Sequence, residues 1–213
     1  MYNENGDNMK INKPRIKYLD EVRLTSLDGE DLRDALIFEK DDEVELVDVN
    51  INSVEFKSID FSKVEFINTS FVDVIFSNCD LSNVKLENMH FTRVVFLNCK
   101  LLGASFNKSV FKDVNFNGSL MNLTNMSEIE SKNVIFNKCS LKESTFISST
   151  LENVCFEDNN LSFSEFISTS LKDIDLSSNN LEGIRIDFKS IKGSIVSENQ
   201  VVSLINLLGV KVK

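Results

Sequence analysis

The chain predicts an all-β solenoid with four sides per coil, and three observations lead there. The first is a period of five. From Leu46 through Ile51, Phe56, Phe61 and onward to Ile191, 29 of 30 fifth positions are Leu, Phe, Ile or Met, and 14 of the 17 Phe fall among them. Only Ser131 breaks the series. Five matches neither the helical period of 3.6 nor the strand period of 2. It means one buried side chain, a few outward ones and a corner, repeated. The second is a period of twenty: Phe56, Phe76, Phe96, Phe116, Phe136 and Phe156 recur with Val54, Val74, Val94, Val114, Val134 and Val154 two residues before them. Twenty residues make four sides, and like residues then stack one coil apart at the ~4.8 Å spacing of paired strands. The third is the residue two after each centre, which is Asn, Asp, Ser or Gly in 21 of 30 cases. Short polar side chains bond to nearby backbone and tolerate left-handed conformations, so they mark the corners.

In chain order, residues 1–24 read as a flexible N-terminal extension, 25–195 as the solenoid, and 196–213 as a C-terminal capping helix and dimerisation segment. Leu27, Leu32 and Ile37 keep the spacing of five but sit one residue out of the later register, which places a bulge or short loop in 38–45. The in-phase repeats from 46 onward amount to a rod of about 36 Å at one strand spacing per coil. A repeat rod needs capping, because its last coil exposes apolar side chains and unpaired backbone groups. Ser197 and Gln200 form a capping-box pattern before an apolar run, and Gly209 is a stop signal. That run carries more apolar residues than one covering face needs. Val201, Leu204, Ile205, Leu208, Val210 and Val212 are therefore candidates for an interface with a second copy of the chain.

With 42% apolar and 26% charged residues, the composition is that of an ordinary globular protein, but 7 Gly and 1 Pro exclude collagen-like and Pro/Gly-rich classes. No apolar run approaches the ~20 residues of a membrane helix. Residues 1–10 lack the apolar core of a secretory signal, so a cytoplasmic location is expected. A net charge of −10 argues against direct nucleic-acid binding. The acids are unevenly placed. Residues 41–80 hold Asp41, Asp42, Glu43, Glu45, Asp48, Glu55, Asp60, Glu65, Asp73 and Asp80 against Lys57 and Lys63. Residues 81–112 reverse sign, with Lys85, Arg93, Lys100, Lys108 and Lys112 against Glu87, and 113–193 are acidic again.

Signals for chemistry are weak. His90 directly precedes a centre and faces outward without a partner fixed by the pattern. Cys79, Cys99 and Cys139 occupy inward positions of one column, as small residues filling a narrow core, and Cys155 faces outward. No phosphate loop, dinucleotide fingerprint or nucleophile elbow occurs. The reading is a protein without enzymatic activity, cofactor, metal or small-molecule substrate, whose exterior is its working part.

The [S/T/C/V]-[D/N/x]-[L/F]-x-x pattern resembles the pentapeptide-repeat family, and that resemblance implies a right-handed quadrilateral β-helix. Within the family the chain is similar to the quinolone-resistance (Qnr) type, in particular its Gram-positive chromosomal branch. The likeness there rests on the tail: SLKDIDLSSNNLEGI, then Gly193, Val196 to Gln200, and Leu207-Leu208-Gly209-Val210. One departure is plain. The unbroken phase from 46 to 191 leaves no room for the loops that many Gram-negative members insert between coils. The resemblance implies a DNA mimic whose partners are DNA gyrase and topoisomerase IV. The acids of 41–80 are then the candidate partner-binding residues. The alternative is an interaction scaffold for an unrelated protein partner, which the basic stretch and the missing loops favour.

Overall fold

Where the centre side chains meet, they close a square. The computed structural model describes residues 9–16 and 19–207. In one coil, Phe61, Phe66, Phe71 and Phe76 form a closed ring of four aromatic side chains, with centroids 5.8, 5.6, 5.8 and 5.8 Å apart. Along the rod, Phe56, Phe76, Phe96, Phe116, Phe136 and Phe156 stack at 5.1, 4.8, 4.8, 5.0 and 4.9 Å. The centres from Leu46 to Ile191 are buried, apart from Leu151, Ile186 and Ile191, which are half-buried. The twelve largest fully buried side chains are all phenylalanines. The interior is a packed column, and the stacking distance is the strand spacing the twenty-residue period demanded.

The backbone pairs from coil to coil, always in parallel. The long strands turn a corner and so cover two adjacent faces: β1 (Asp20–Glu21), β3 (Leu32–Ile37), β5 (Asn50–Lys57), β7 (Ser70–Ser77), β8 (His90–Leu97), β9 (Val110–Asn117), β10 (Glu130–Asn137) and β11 (Thr150–Glu157), hydrogen-bonded in that order. From β5 onward each residue faces the one twenty later, as Phe56 faces Phe76. Shorter strands complete the other faces: β2 (Leu27–Asp28), β4 (Val44–Val47) and β6 (Val64–Ile67) in one sheet, β12 (Glu165–Phe166) and β13 (Arg185–Ile186) in another. Of the 30 positions two after a centre, 27 have positive φ, Lys63, Ser178 and Phe188 being the exceptions. The corner residues are thus in the left-handed region that Asn, Asp and Gly favour. Tertiary pairing holds even Leu123 and Phe163 there.

Inward positions two before a centre divide by chemistry. The column Val54, Val74, Val94, Val114, Val134 and Val154 is apolar and buried. In a second column Cys79, Cys99, Ser119 and Cys139 each donate to the carbonyl 23 residues earlier, those of Phe56, Phe76, Phe96 and Phe116, at 3.3–3.4 Å. Asn159 and Asn179 do the same with their Nδ2 groups. The cysteines are therefore small donors in a structural ladder, interchangeable in role with Ser and Asn.

Both ends depart from the expectation. Ile37 faces Phe56 but Val44 faces Val64. The register slip lies inside 38–45, and it is a corner one residue shorter than its neighbour, not an added loop. Strand pairing begins at Asp20, which faces Ala35, so the solenoid starts ahead of residue 25. Residues 9–16, expected to stand free of the rod, lie along it, because two of their backbone N–H groups find buried carboxylates, Asp113 and Asp73. At the C-terminus, α1 (Phe188–Ile191) is capped by Asp187, whose carboxylate accepts from the N–H groups of Lys189 and Ser190. α2 (Glu198–Leu207) follows. Gln200 accepts from the Ser197 N–H at 2.7 Å, half of the capping box, and its Nε2 donates to the Leu176 and Asn179 carbonyls, tying the helix to the last coil. Among the described residues no helix is long and apolar enough to cross a membrane.

Candidate functional site

The ten acids of 41–80 do not share one face. Glu45 stacks on Glu65 on one side, Asp60 on Asp80 on another, and Glu55 lies over Ile75 on a third. Several are engaged. Asp41 accepts from Arg23 at 2.7 Å, Glu43 lies 3.8 Å from Lys63, and Asp80 lies 3.4 Å from Lys100. Asp48 accepts from Asn68, and Asp60 from the Ser62 N–H at 2.8 Å. Asp42, Glu45, Glu55 and Glu65 are in no ion pair among the described residues. Three of them meet in a shallow groove of about 270 Å³ lined by Glu43, Val44, Glu45, Ser62, Lys63, Val64 and Glu65. Three carboxylates around one lysine leave an exposed acidic patch, suited to a basic side chain of a partner.

Asp73 belongs to a different arrangement. It is buried at a corner and grips Arg93 through two hydrogen bonds of 2.6 and 2.7 Å. Asp113, two coils from Asp73, is 3% exposed and accepts from Asn133 at 3.1 Å. The N-terminal segment reaches the same corner column. The Asn12 N–H and Nδ2 donate to Asp113 at 3.2 and 3.0 Å, and the Arg15 N–H donates to Asp73 at 2.8 Å. Burial pushes both carboxyls up, but Arg93 and the Arg15 N–H outweigh it at Asp73, and Asn12 and Asn133 outweigh it at Asp113, so both stay below the usual carboxylate range. Asp73 is thus not available to a basic partner while the segment is in place. Between the segment and the rod lies a hollow of about 710 Å³, lined by Met9 to Pro14 and by Ile75, Val95, Asn115 and Ile135.

The remaining candidates are quickly placed. Val201, Leu204 and Ile205 line an apolar groove of about 190 Å³ with Ile186, Phe188, Ile191 and Val196. Leu208, Val210 and Val212 lie outside the described residues. His90 is exposed. The neighbouring Cys79 thiol, together with burial, pushes the Cys99 thiol up; burial raises Cys139 and the half-buried Cys155 to about 11. Exposed apolar side chains that sequence reasoning missed, Leu102, Leu120, Leu123 and Phe163, lie within two residues of the centres Leu101, Met121 and Leu161, which stack in one column. Lys142 sits 5.7 Å above the Phe163 ring, which itself lies where a Cβ on Gly183 would be.

Residues 50–88 and 90–127 match the family model described as pentapeptide repeats, in eight copies. The chain carries pentapeptide repeats, and the same coil geometry continues on both sides of the matched stretches. No curated protein matches the sequence. Among solved structures, full-length QnrB1, a plasmid-mediated fluoroquinolone resistance protein, is similar at 19% identity, with 90% of this chain and 100% of that one covered and a TM-score of 0.50. HetL, a pentapeptide repeat protein involved in heterocyst differentiation regulation in the cyanobacterium Nostoc, aligns at 14% identity over 87% of this chain and 92% of its own, with a TM-score of 0.43. A pentapeptide repeat protein of the Arabidopsis thaliana thylakoid lumen covers 44% of this chain and 66% of its own at 19% identity, TM-score 0.42. At these identities the likeness is one of fold.

Proposed function

We propose that the protein is a non-enzymatic, cytoplasmic binding rod that engages a type II topoisomerase, DNA gyrase or topoisomerase IV, as a DNA mimic, and so modulates fluoroquinolone action. The observation that carries this reading is the exposed groove of Glu43, Glu45 and Glu65 on the outside of a filled, acidic rod. Two facing walls ~10 Å apart plus their outward side chains give a width of about 20 to 25 Å, close to that of a nucleic-acid duplex. The sequence resemblance to Qnr proteins points the same way, and QnrB1, which has this fold, is a fluoroquinolone resistance protein. Pairing of two rods through α2 and the residues after it belongs to the same proposal.

A second reading, a scaffold for an unrelated protein, is favoured by the dispersal of the other acids over several sides and by their ion pairs. A supercoiling titration separates the two. Gyrase and topoisomerase IV of the same organism are assayed with and without a fluoroquinolone, using the wild-type protein and a Glu43→Gln, Glu45→Gln, Glu65→Gln variant. The wild type is expected to alter supercoiling or cleavage at micromolar levels, several-fold more strongly than the variant and less so as salt rises. A wild-type protein without effect on either enzyme overturns the topoisomerase reading.

A further inference from the structure

We propose that the outer face over Ile75, Val95 and Ile135 is a docking groove for an extended, basic segment of a partner protein, and that residues 9–16 fill it as a resident competitor. Three observations support this. The first is register. The Asn12 and Arg15 N–H groups are three residues apart, about 10 Å in an extended chain, and their acceptors Asp113 and Asp73 are two coils apart, about 9.6 Å. A chain laid along the rod axis therefore meets these two carboxylates with backbone N–H groups three residues apart, whatever its side chains. Arg93, between the two acids, holds Asp73 in place from the rod side.

The second is charge. Met9 to Ile16 reads MKINKPRI, with Lys10, Lys13 and Arg15 exposed at the edge of a face that presents Asp73, Asp113 and, one coil further along, Glu55. The third is fit. The resident segment forms no strand with the rod, and a cleft of about 710 Å³, open to solvent on one side, remains beside it. Asn115 lines that cleft, and its Oδ1 is buried without a hydrogen-bond partner. A segment cut for the groove would fill the space over Ile75, Val95 and Ile135 with larger apolar side chains and place a donor against Asn115. Residues 9–16 do neither, and a loosely packed occupant is a displaceable one. The groove stands apart from topoisomerase binding, and its test reads peptide capture alone.

A fluorescent peptide of sequence MKINKPRI is titrated by anisotropy into the full chain and into a full-length Ile11→Asp, Asn12→Ala variant that lifts the resident segment. Because the tethered segment competes at high effective concentration, binding to the lifted variant is expected to be at least ten times tighter than to the wild type. Asp113→Asn in the lifted background is expected to weaken binding several-fold. Peptides varied at the positions of Met9, Ile11 and Pro14 are expected to include sequences that bind at least ten times tighter than the native one. Equal binding to wild type and lifted variant overturns the proposal. So does a folded lifted variant that captures no peptide. If no varied peptide improves on the native sequence, the segment is a permanent staple and the partner reading falls. Should the lifted variant lose its circular dichroism, hydrogen exchange on the unmodified chain decides. Excess peptide must accelerate exchange at the Asn12 and Arg15 amides, and unchanged rates refute displacement.

Discussion

Ser131 is the one centre that is not apolar, and replacing it with alanine is expected to stabilise the protein. Its side chain sits between Phe111 and Leu151 in the stacked column, in register with both. It is 3% exposed, and its Oγ has no hydrogen-bond partner. A buried hydroxyl left unpaired costs about 1 to 3 kcal/mol, whereas an apolar replacement of similar shape removes that cost without opening a new void. Ser131→Ala should therefore raise stability by about 1 to 2 kcal/mol, which for a chain of this size is a rise in melting temperature of roughly 3 to 6 °C. Urea unfolding followed by far-UV circular dichroism, with a thermal melt beside it, measures the change. A midpoint unchanged or lowered, by more than the ~0.5 kcal/mol scatter of silent substitutions, refutes the assignment of an unpaired hydroxyl and implies a buried water at Oγ.

The opposite sign is expected at Phe96. Its ring is stacked between Phe76 and Phe116 at 4.8 Å on each side, so Phe96→Ala should cost about 3 to 5 kcal/mol in the same unfolding assay; a loss below about 1 kcal/mol would mean that neighbouring rings close the gap. The last prediction concerns acid. The Ser168 N–H, then the Ser190 hydroxyl and N–H, hold the Asp187 carboxyl down to about 2. Its folded value lies below the unfolded one, so its contribution is complete above pH ~4 and fades as pH falls toward about 2. Thermal melts across that window should show a fall in stability that Asp187→Asn reduces. An identical pH profile in the variant refutes the role of the cap.

The fold was legible because burial repeats. Phe56 to Phe156 mark one wall at intervals of twenty, and nothing but a coil of that length brings them into one stack. The slip in 38–45 was legible as a break of phase, but its sense was not, since a shortened corner and an added residue disturb the period alike. The N-terminal segment left no periodic signal at all. MKINKPRI is too short to show one, and the carboxylates that hold it are 101 and 58 residues away in sequence. Nothing local marks Asp113 as different from Asp158, a corner residue that stays exposed.

Surface charge was misread for a reason the fold makes plain. Counted along the chain, Lys85 to Lys112 form a basic band between two acidic ones. In a solenoid the neighbours of a residue include those twenty away, and several ion pairs run that way: Asp73 with Arg93, Asp80 with Lys100, Lys108 with Glu128, Lys132 with Glu152, Glu165 with Arg185. The basic stretch is thus spent largely on the coils beside it. What a partner meets is the residue left over in each column, and where that residue repeats its own sign. Glu45 over Glu65 is such a place. Two like charges one coil apart repel each other, and a basic side chain docking between them relieves that repulsion. An acid paired across coils, such as Asp80 with Lys100, has no comparable gain to offer. On the proposed function the binding surface is expected where the coil-to-coil pairing fails, and the charge total of the rod is a poor guide to it.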